Sequence, residues 1–321
     1  MQKRKREIKL SIKKVEIRSI HILRKIVLPG FDGMPLYDVL SFFFKGLFNG
    51  VLTYRAAAIS FNFFLALIPF VLFLFTLIPF VTSNQYQVYL LDLLQEVIPS
   101  NIYDMARDTI EGIVSRPQQE LLSAGFAMSV YFATNGVDAI IEGFNQSYHR
   151  PETRPWWKQK IVAFFLMLVL TILIIISFSF FGFGEITIKL LVENHIIASN
   201  FSIFSLQLLR WFVILFATLF SVSILYYFGQ LRRPKIAKYR FISPGSVLAT
   251  LLFLFGGVLL KLYFENFSRY NIVYGSIGSL IILMVWIYYN SFIILIGFEL
   301  NESIRQSKAK ALEEKRYIEV K

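Results

Sequence analysis

The stretch IVAFFLMLVLTILIIISFSFFGFG, residues 161–184, contains no charged side chain. As an α-helix it would extend about 36 Å at 1.5 Å per residue. That exceeds the ~30 Å hydrocarbon core of a bilayer, where only a helix satisfies every backbone polar group within its own segment. It reads as a membrane-spanning helix. Working outward along the chain, five more apolar runs of comparable length lie at 56–81, 121–145, 211–229, 244–266 and 275–299. The expected fold is all-α, a polytopic membrane protein built as a six-transmembrane-helix bundle.

Composition agrees with lipid as the main solvent. Hydrophobic residues make up 56% of the chain and charged residues 17%, against about 25% charged in an average soluble domain. With no cysteine in the sequence, disulfides, thiolate metal sites and cysteine nucleophiles are excluded. His21, His149 and His195 fall in three separate polar segments, too scattered for a metal cluster. No glycine-rich phosphate loop, HExxH or Gly-x-Ser-x-Gly occurs, so ATP hydrolysis and metal-dependent cleavage lack their parts. Neither a cofactor nor a catalytic residue is expected, and the chain does not read as an enzyme.

The net charge of +12 invites a nucleic-acid reading, but the positions of the cations argue against it. Lys and Arg number 12 in residues 1–55, 4 in 146–160, 5 in 230–243 and 6 in 300–321, which is 27 of the 33. Six spans put all four segments on one side. The positive-inside rule then makes both termini cytoplasmic, with three alternate loops facing outward. The expected partners of these cations are membrane lipids, through anionic headgroups on the cytoplasmic side, and not nucleic acid. About fifty residues precede the first long apolar run without a small-residue cleavage site, so that span is expected to be an uncleaved anchor.

Three regions follow: a basic cytoplasmic arm at 1–35, a single transmembrane domain at 36–304 and a charged cytoplasmic tail at 305–321. After Pro35, apolar residues from Leu36 to Val51 recur at spacings of three and four, predicting an amphipathic helix in the cytoplasmic interface. Pro99-Ser100 divides the first outer loop into two helical patterns that would cap the outer mouth. Spans five and six, joined around Phe267-Ser268-Arg269-Tyr270, should form an antiparallel hairpin. Small residues at Gly256, Gly257, Gly275, Gly278 and Ser279 would let its helices approach closely.

Ionisable groups at membrane depth are costly, by about 2.5–3.5 kcal/mol on insertion scales, and usually face a partner or a wet cavity. In span two, Asn135, Asp138, Glu142 and Asn145 recur at three, four and three, which confines them to an arc of about 80°. The stripe continues toward Tyr148. Span one carries Arg55 and Asn62 in a matching stripe with Ala66 and Pro69, and Arg55 is expected to pair with Asp138 or Glu142. Together these residues suggest a polar cavity open to the cytoplasm. Glu299 closes span six and Asn290 lies deeper on another face; both join the candidate substrate pathway, with helix–helix hydrogen bonding as the alternative role.

Three stretches carry a family resemblance. The first is Arg55-Ala-Ala-Ala-Ile-Ser-Phe-Asn-Phe-Phe-Leu-Ala-Leu-Ile-Pro69. The second runs from Gly136 through Asn145-Gln-Ser-Tyr148 and on to Arg154-Pro-Trp-Trp-Lys158. The third is Tyr274-Gly-Ser-Ile-Gly-Ser, then Trp286-Ile-Tyr288, then Gly297-Phe-Glu299-Leu-Asn301. Over roughly 36–304 the chain resembles the YihY/virulence factor BrkB family of bacterial inner-membrane proteins, members of which once carried the label ribonuclease BN. It departs from that pattern at Ala66, where serine is expected, and at Asn135, where serine or glycine is usual. The resemblance implies inner-membrane localisation and transport or flipping of a lipid-like or amphiphilic solute, without ribonuclease activity. An ATP-independent translocase of an anionic amphiphile is the expected function, and a non-catalytic scaffold for envelope assembly the alternative.

Overall fold

The computed structural model describes residues 21–49, 51–81, 112–113, 117–147, 154–193, 200–230, 240–266 and 276–319. Most of the basic arm, the two outer-loop patterns around Pro99-Ser100, the connection at 267–270 and Tyr148 lie outside the described residues. In chain order the elements are α1 (Leu36–Asn49), α2 (Leu52–Val81), α3 (Gln119–Asn145), α4 (Trp156–Glu193), α5 (Asn200–Gly229), α6 (Pro244–Asn266) and α7 (Ser276–Glu319). No strand occurs among the described residues, and the all-helical expectation stands.

Among the described residues, four helices contain a segment long and apolar enough to cross a membrane: Leu52–Leu77, Trp156–Ser177, Gln207–Gly229 and Leu280–Glu319. α6 contributes a shorter apolar stretch, Pro244–Gly257. α3 does not qualify by composition, because Asn135, Asp138 and Glu142 interrupt its apolar sequence. On α4, Phe165, Ile172 and Ile175 are 61%, 57% and 59% exposed, far more apolar surface than water tolerates on a free helix. Lipid is the solvent that suits such a face.

Each long helix packs on the next, α2 on α3 and so on to α7, and α7 returns to α2, closing a ring. Its core draws Ile59 from α2, Ile140, Ile141 and Phe144 from α3, Ala163 from α4, Leu225 and Tyr226 from α5, Ala249 from α6, and Leu295 and Phe298 from α7. The rings of Phe144 and Phe298 stack 4.1 Å apart and 9° from parallel, with Tyr226 edge-on to Phe144 at 5.6 Å. The Tyr226 hydroxyl donates to the Ile294 carbonyl at 2.6 Å, so its polar end is not stranded in the apolar centre.

α6 and α7 run antiparallel, as the hairpin reading expects, and Gly256 admits the Tyr289 ring of α7 as the small-residue reading expects, but the tightest approach of the two backbones is elsewhere. It lies at Gly245 and Gly297, where a side-chain carbon on either residue would collide with the carbonyl oxygen of the other. Gly257 has open space around it. Asn301 fastens the same crossing: its side-chain oxygen accepts from the Gly245 N–H at 2.8 Å and its amide donates to the Ser243 hydroxyl at 2.8 Å. Ser243 and Ser246 meanwhile cap the start of α6 reciprocally, each hydroxyl accepting from the other's backbone N–H at 3.1 and 3.0 Å.

α7 continues through Glu319, about 30 Å beyond Glu299 at 1.5 Å per residue. Most of the stretch read as a charged tail is therefore helix. Leu300 and Ile304 bury themselves against Phe31 and Val39, a second small core that also holds Met34, Leu36 and Phe43. The amphipathic face of α1 thus rests on α7, while Phe44 and Phe48 remain 50% and 81% exposed. Asp32, at positive φ in the turn before α1, receives Arg240 and Lys308 at 3.2 Å each, tying that turn to the start of α6 and to α7.

The Gly245–Gly297 crossing tolerates no added carbon, because each glycine faces the other's backbone carbonyl oxygen, with Tyr226 and Asn301 packed beside them. Gly297→Ala should lower the stability of the detergent-solubilised protein by about 1–3 kcal/mol. Gly257→Ala should leave the melting temperature unchanged, and thermal unfolding of both variants checks the contrast.

Candidate functional site: a polar groove on the flank of the bundle

α2 enters the bundle at the end that also holds α1, the C-terminus of α3 and the N-terminus of α4. There Arg55, 6% exposed, donates from Nε to the Gly143 carbonyl at 2.8 Å and from Nη1 to Glu299 Oε1 at 2.6 Å. Glu299 is fully buried, and its second oxygen accepts from the Ser147 hydroxyl at 3.1 Å. One guanidinium thereby joins α2, α3 and α7. The expected partner of Arg55, Asp138 or Glu142, is corrected to Glu299. The reason is burial: a carboxylate with no access to water has the greatest need of a cation, while the two α3 acids keep partial exposure and other donors.

Asp138 instead pairs with Lys160 of α4 at 2.5 Å, and Lys160 also donates to the Asn135 side-chain oxygen at 2.7 Å. Gln159, 8% exposed, donates to Asp138 at 2.7 Å and to Glu142 at 3.4 Å while accepting from Asn145 at 2.9 Å. Glu142 also receives the Gln146 amide at 2.8 Å. Asn62 donates to the Ala58 carbonyl of its own helix at 2.9 Å.

These groups enclose a cavity of about 390 Å³ lined by Arg55, Asn62, Asn135, Asp138, Glu142 and Lys160, with Tyr131, Gln146 and small residues of α2 and α3 completing the wall. Of the nine candidate residues, Arg55, Asn62, Asn135, Asp138 and Glu142 come together here. Asn145 is buried behind the wall on Gln159, and Glu299 lies behind Arg55. Asn290 is elsewhere, its amide turned back to the Trp286 carbonyl at 2.7 Å. Tyr148 is not among the described residues.

The cavity opens on the flank of the bundle, not along its axis. At 100° per residue, Asn135, Asp138 and Glu142 centre roughly 140° round α3 from the buried Val137, Ile140, Ile141 and Phe144. Tyr131 on the rim is 63% exposed. α3 therefore turns its apolar side into the bundle and its polar side outward, into a groove walled by α2 and the start of α4.

Lys160 and Gln159 join the candidate site only in the structure, because along the sequence Lys160 reads as a cation flanking a span. A signal was present. α3 and α4 are antiparallel neighbours on either side of a short connection, so the first turn of α4 must stand beside the last turns of α3. In that connection Arg154 donates to the Phe228 and Gln230 carbonyls at 3.3 and 2.6 Å, serving the C-terminal end of α5. Burial draws its guanidinium pKa below the ordinary value. Next to it, Lys158 lies 5.1 Å over the Trp157 ring.

A chain that is all-helical among its described residues, with several membrane-length helices and a charged groove on one flank, defines an integral membrane protein of the multi-pass kind. Residues 44–318 match the family described as Virulence factor BrkB, and the chain belongs to that family. It is 26% identical over 254 residues to the putative ribonuclease-like protein YfkH of Bacillus subtilis, covering 79% of this chain and 90% of that protein. A UPF0761 membrane protein of Haemophilus influenzae is 22% identical over 263 residues, 82% of this chain and 93% of its own. A UPF0761 membrane protein of Psychromonas ingrahamii is 40% identical over a shorter stretch of 68 residues, 21% of this chain and 23% of its own. No solved structure matches the chain.

The triad Gly297, Glu299 and Asn301 thus has three separate jobs within one turn and a half of α7: backbone approach, ion pair and helix cap. Replacing Glu299 by Gln removes one partner of a buried pair and should destabilise by about 3–5 kcal/mol. In a double-mutant cycle, Arg55→Gln and Glu299→Gln should be strongly non-additive. Arg55→Gln and Asn290→Ala, which share no partner, should add within about 0.5 kcal/mol. Thermal unfolding in detergent reads both.

Proposed function

We propose that this chain is an ATP-independent translocase of an amphiphilic solute in the bacterial inner membrane. The observation that carries this reading is the flank groove: a cavity of about 390 Å³ with charged walls, on the outward face of a helix at membrane depth. A polar group of the solute would occupy the groove while its apolar part stays among acyl chains. Such a path spares the bundle from opening a central pore, which its packed core of Ile140, Phe144, Leu295 and Phe298 would resist.

In this reading all six long helices cross the bilayer. α3 has 27 residues and α6 has 23, each longer than the about 20 a crossing requires. The polar stripe of α3 is accommodated because Lys160 and Gln159 meet its carboxylates. The basic segments put both termini in the cytoplasm, where their cations meet anionic headgroups. α1 lies along the cytoplasmic interface with Phe44 and Phe48, stacked at 6.3 Å, directed toward lipid. Exposed Trp156 and Trp157 at the start of α4 suit the same level. A scaffold for envelope assembly is the second reading, favoured by the Arg55–Glu299 junction, which binds three helices and lies behind the groove.

Because the chain has no cysteine, single cysteines report its topology directly. A cysteine at position 110 should react with an impermeant maleimide on intact spheroplasts, and one at position 235 only after permeabilisation. In liposomes with a fluorescent lipid analogue, Asp138→Asn should reduce transfer at least tenfold at an unchanged folded yield. Transfer at the original rate would leave the scaffold reading in its place.

A further inference from the structure

The charges inside the groove do not match those on the loops. Arg55, the strongest cation in the wall, is committed to Glu299 outside the cavity at 2.6 Å. Lys160 is paired to Asp138 at 2.5 Å. Glu142 remains. Among the described residues its oxygens meet two amide groups, Gln146 at 2.8 Å and Gln159 at 3.4 Å, and no cation. Among the described residues, with Arg55 neutralised by Glu299, two acids face one cation, which leaves Glu142 as the unbalanced charge of the wall.

From this we propose that the group bound in the groove is an organic ammonium, as in the headgroup of an aminophospholipid, with Glu142 as its counter-ion. The inference rests on reading the groove as the solute site, and it names the chemistry of the solute. The expectation of an anionic solute rests on cations summed over whole loops; of these, Arg55 and Lys160 line the groove, and each is held by a carboxylate. Among the described residues, an anion entering here would meet Asp138 and Glu142 and two cations, Arg55 and Lys160, each already engaged by a carboxylate. An ammonium meets Glu142, the side-chain oxygens of Asn62 and Asn135, and the half-open Tyr131 ring, whose face attracts cations. The ring is held edge-on by Phe132 at 5.3 Å. Outside the groove, Phe61 and Ile68 on α2 and Phe126 and Met128 on α3 expose 55%, 63%, 54% and 48% of their surface, an apolar border along which acyl chains would lie.

The test uses the full-length protein in vesicles of phosphatidylethanolamine and phosphatidylglycerol, followed by native mass spectrometry of the lipid retained. Phosphatidylethanolamine should be retained at least tenfold over phosphatidylglycerol. Glu142→Gln should erase that preference with an unchanged melting temperature, Glu142→Asp should keep most of it, and Lys160→Gln should increase it. Retention of phosphatidylglycerol at parity or better, or an unaltered preference in Glu142→Gln, overturns the proposal. A second arm adds free ethanolamine, and separately potassium, at millimolar concentration. Displacement of the lipid by ethanolamine alone shows that the ammonium is what is recognised, while loss of lipid to potassium alone overturns the organic-ammonium assignment. Where ethanolamine binds and neither lipid is retained, the ligand is a soluble amine. Retention without transfer in the liposome assay rejects translocation and leaves the ammonium site standing.

Discussion

A buried ion pair controls the geometry of this bundle. Arg55 and Glu299 lie at side-chain exposures of 4% and 0%, in surroundings where neither charge has water to fall back on. Each is tolerable only because the other is present, together with the Gly143 carbonyl and the Ser147 hydroxyl. α2, the end of α3 and α7 must therefore meet at one register, since sliding any of them by a turn would strand a charge in a low-dielectric interior. Everything that faces outward from α2 and α3 inherits its position from that junction, the groove included.

The junction also separates two kinds of charge that look alike along the chain. Glu299 and Arg55 hold helices, and of the two Arg55 alone reaches the cavity wall. Asp138, Glu142 and Lys160 keep partial exposure and form the wall of a space that can be filled. The difference is rotation about the helix axis, which turns one set toward the core and the other away from it. α3 is amphipathic like a water-soluble surface helix, its polar stripe facing away from the core, and under the proposed six-span reading that stripe lies where lipid replaces water. That makes the stripe expensive unless a headgroup, a partner or paired charges meet it.

α7 links the membrane part to the region beyond it. Its apolar portion carries Leu295 and Phe298 into the core, and its continuation through Ile304 forms the second core with Phe31 and Val39. Asp32, held by Arg240 and Lys308, closes the turn that precedes α1. One 44-residue helix connects these two cores.

What the sequence determined by itself is the class: helices, their approximate limits, membrane burial and the polar stripe on α3. These follow from length, hydropathy and a 100° repeat, which are properties of one segment at a time. Five of the candidate residues, Arg55, Asn62, Asn135, Asp138 and Glu142, were legible for the same reason, since a polar side chain within an apolar run needs no partner to be conspicuous. Tertiary structure alone decided the pairing of Arg55 with Glu299, 244 residues apart, the part played by Lys160 and Gln159, the approach at Gly245 and Gly297, and the opening of the groove on the flank. Those depend on how helices rotate and settle against one another. That rotation is chosen by the sum of core packing and buried charge satisfaction over the whole bundle, which no single stretch encodes.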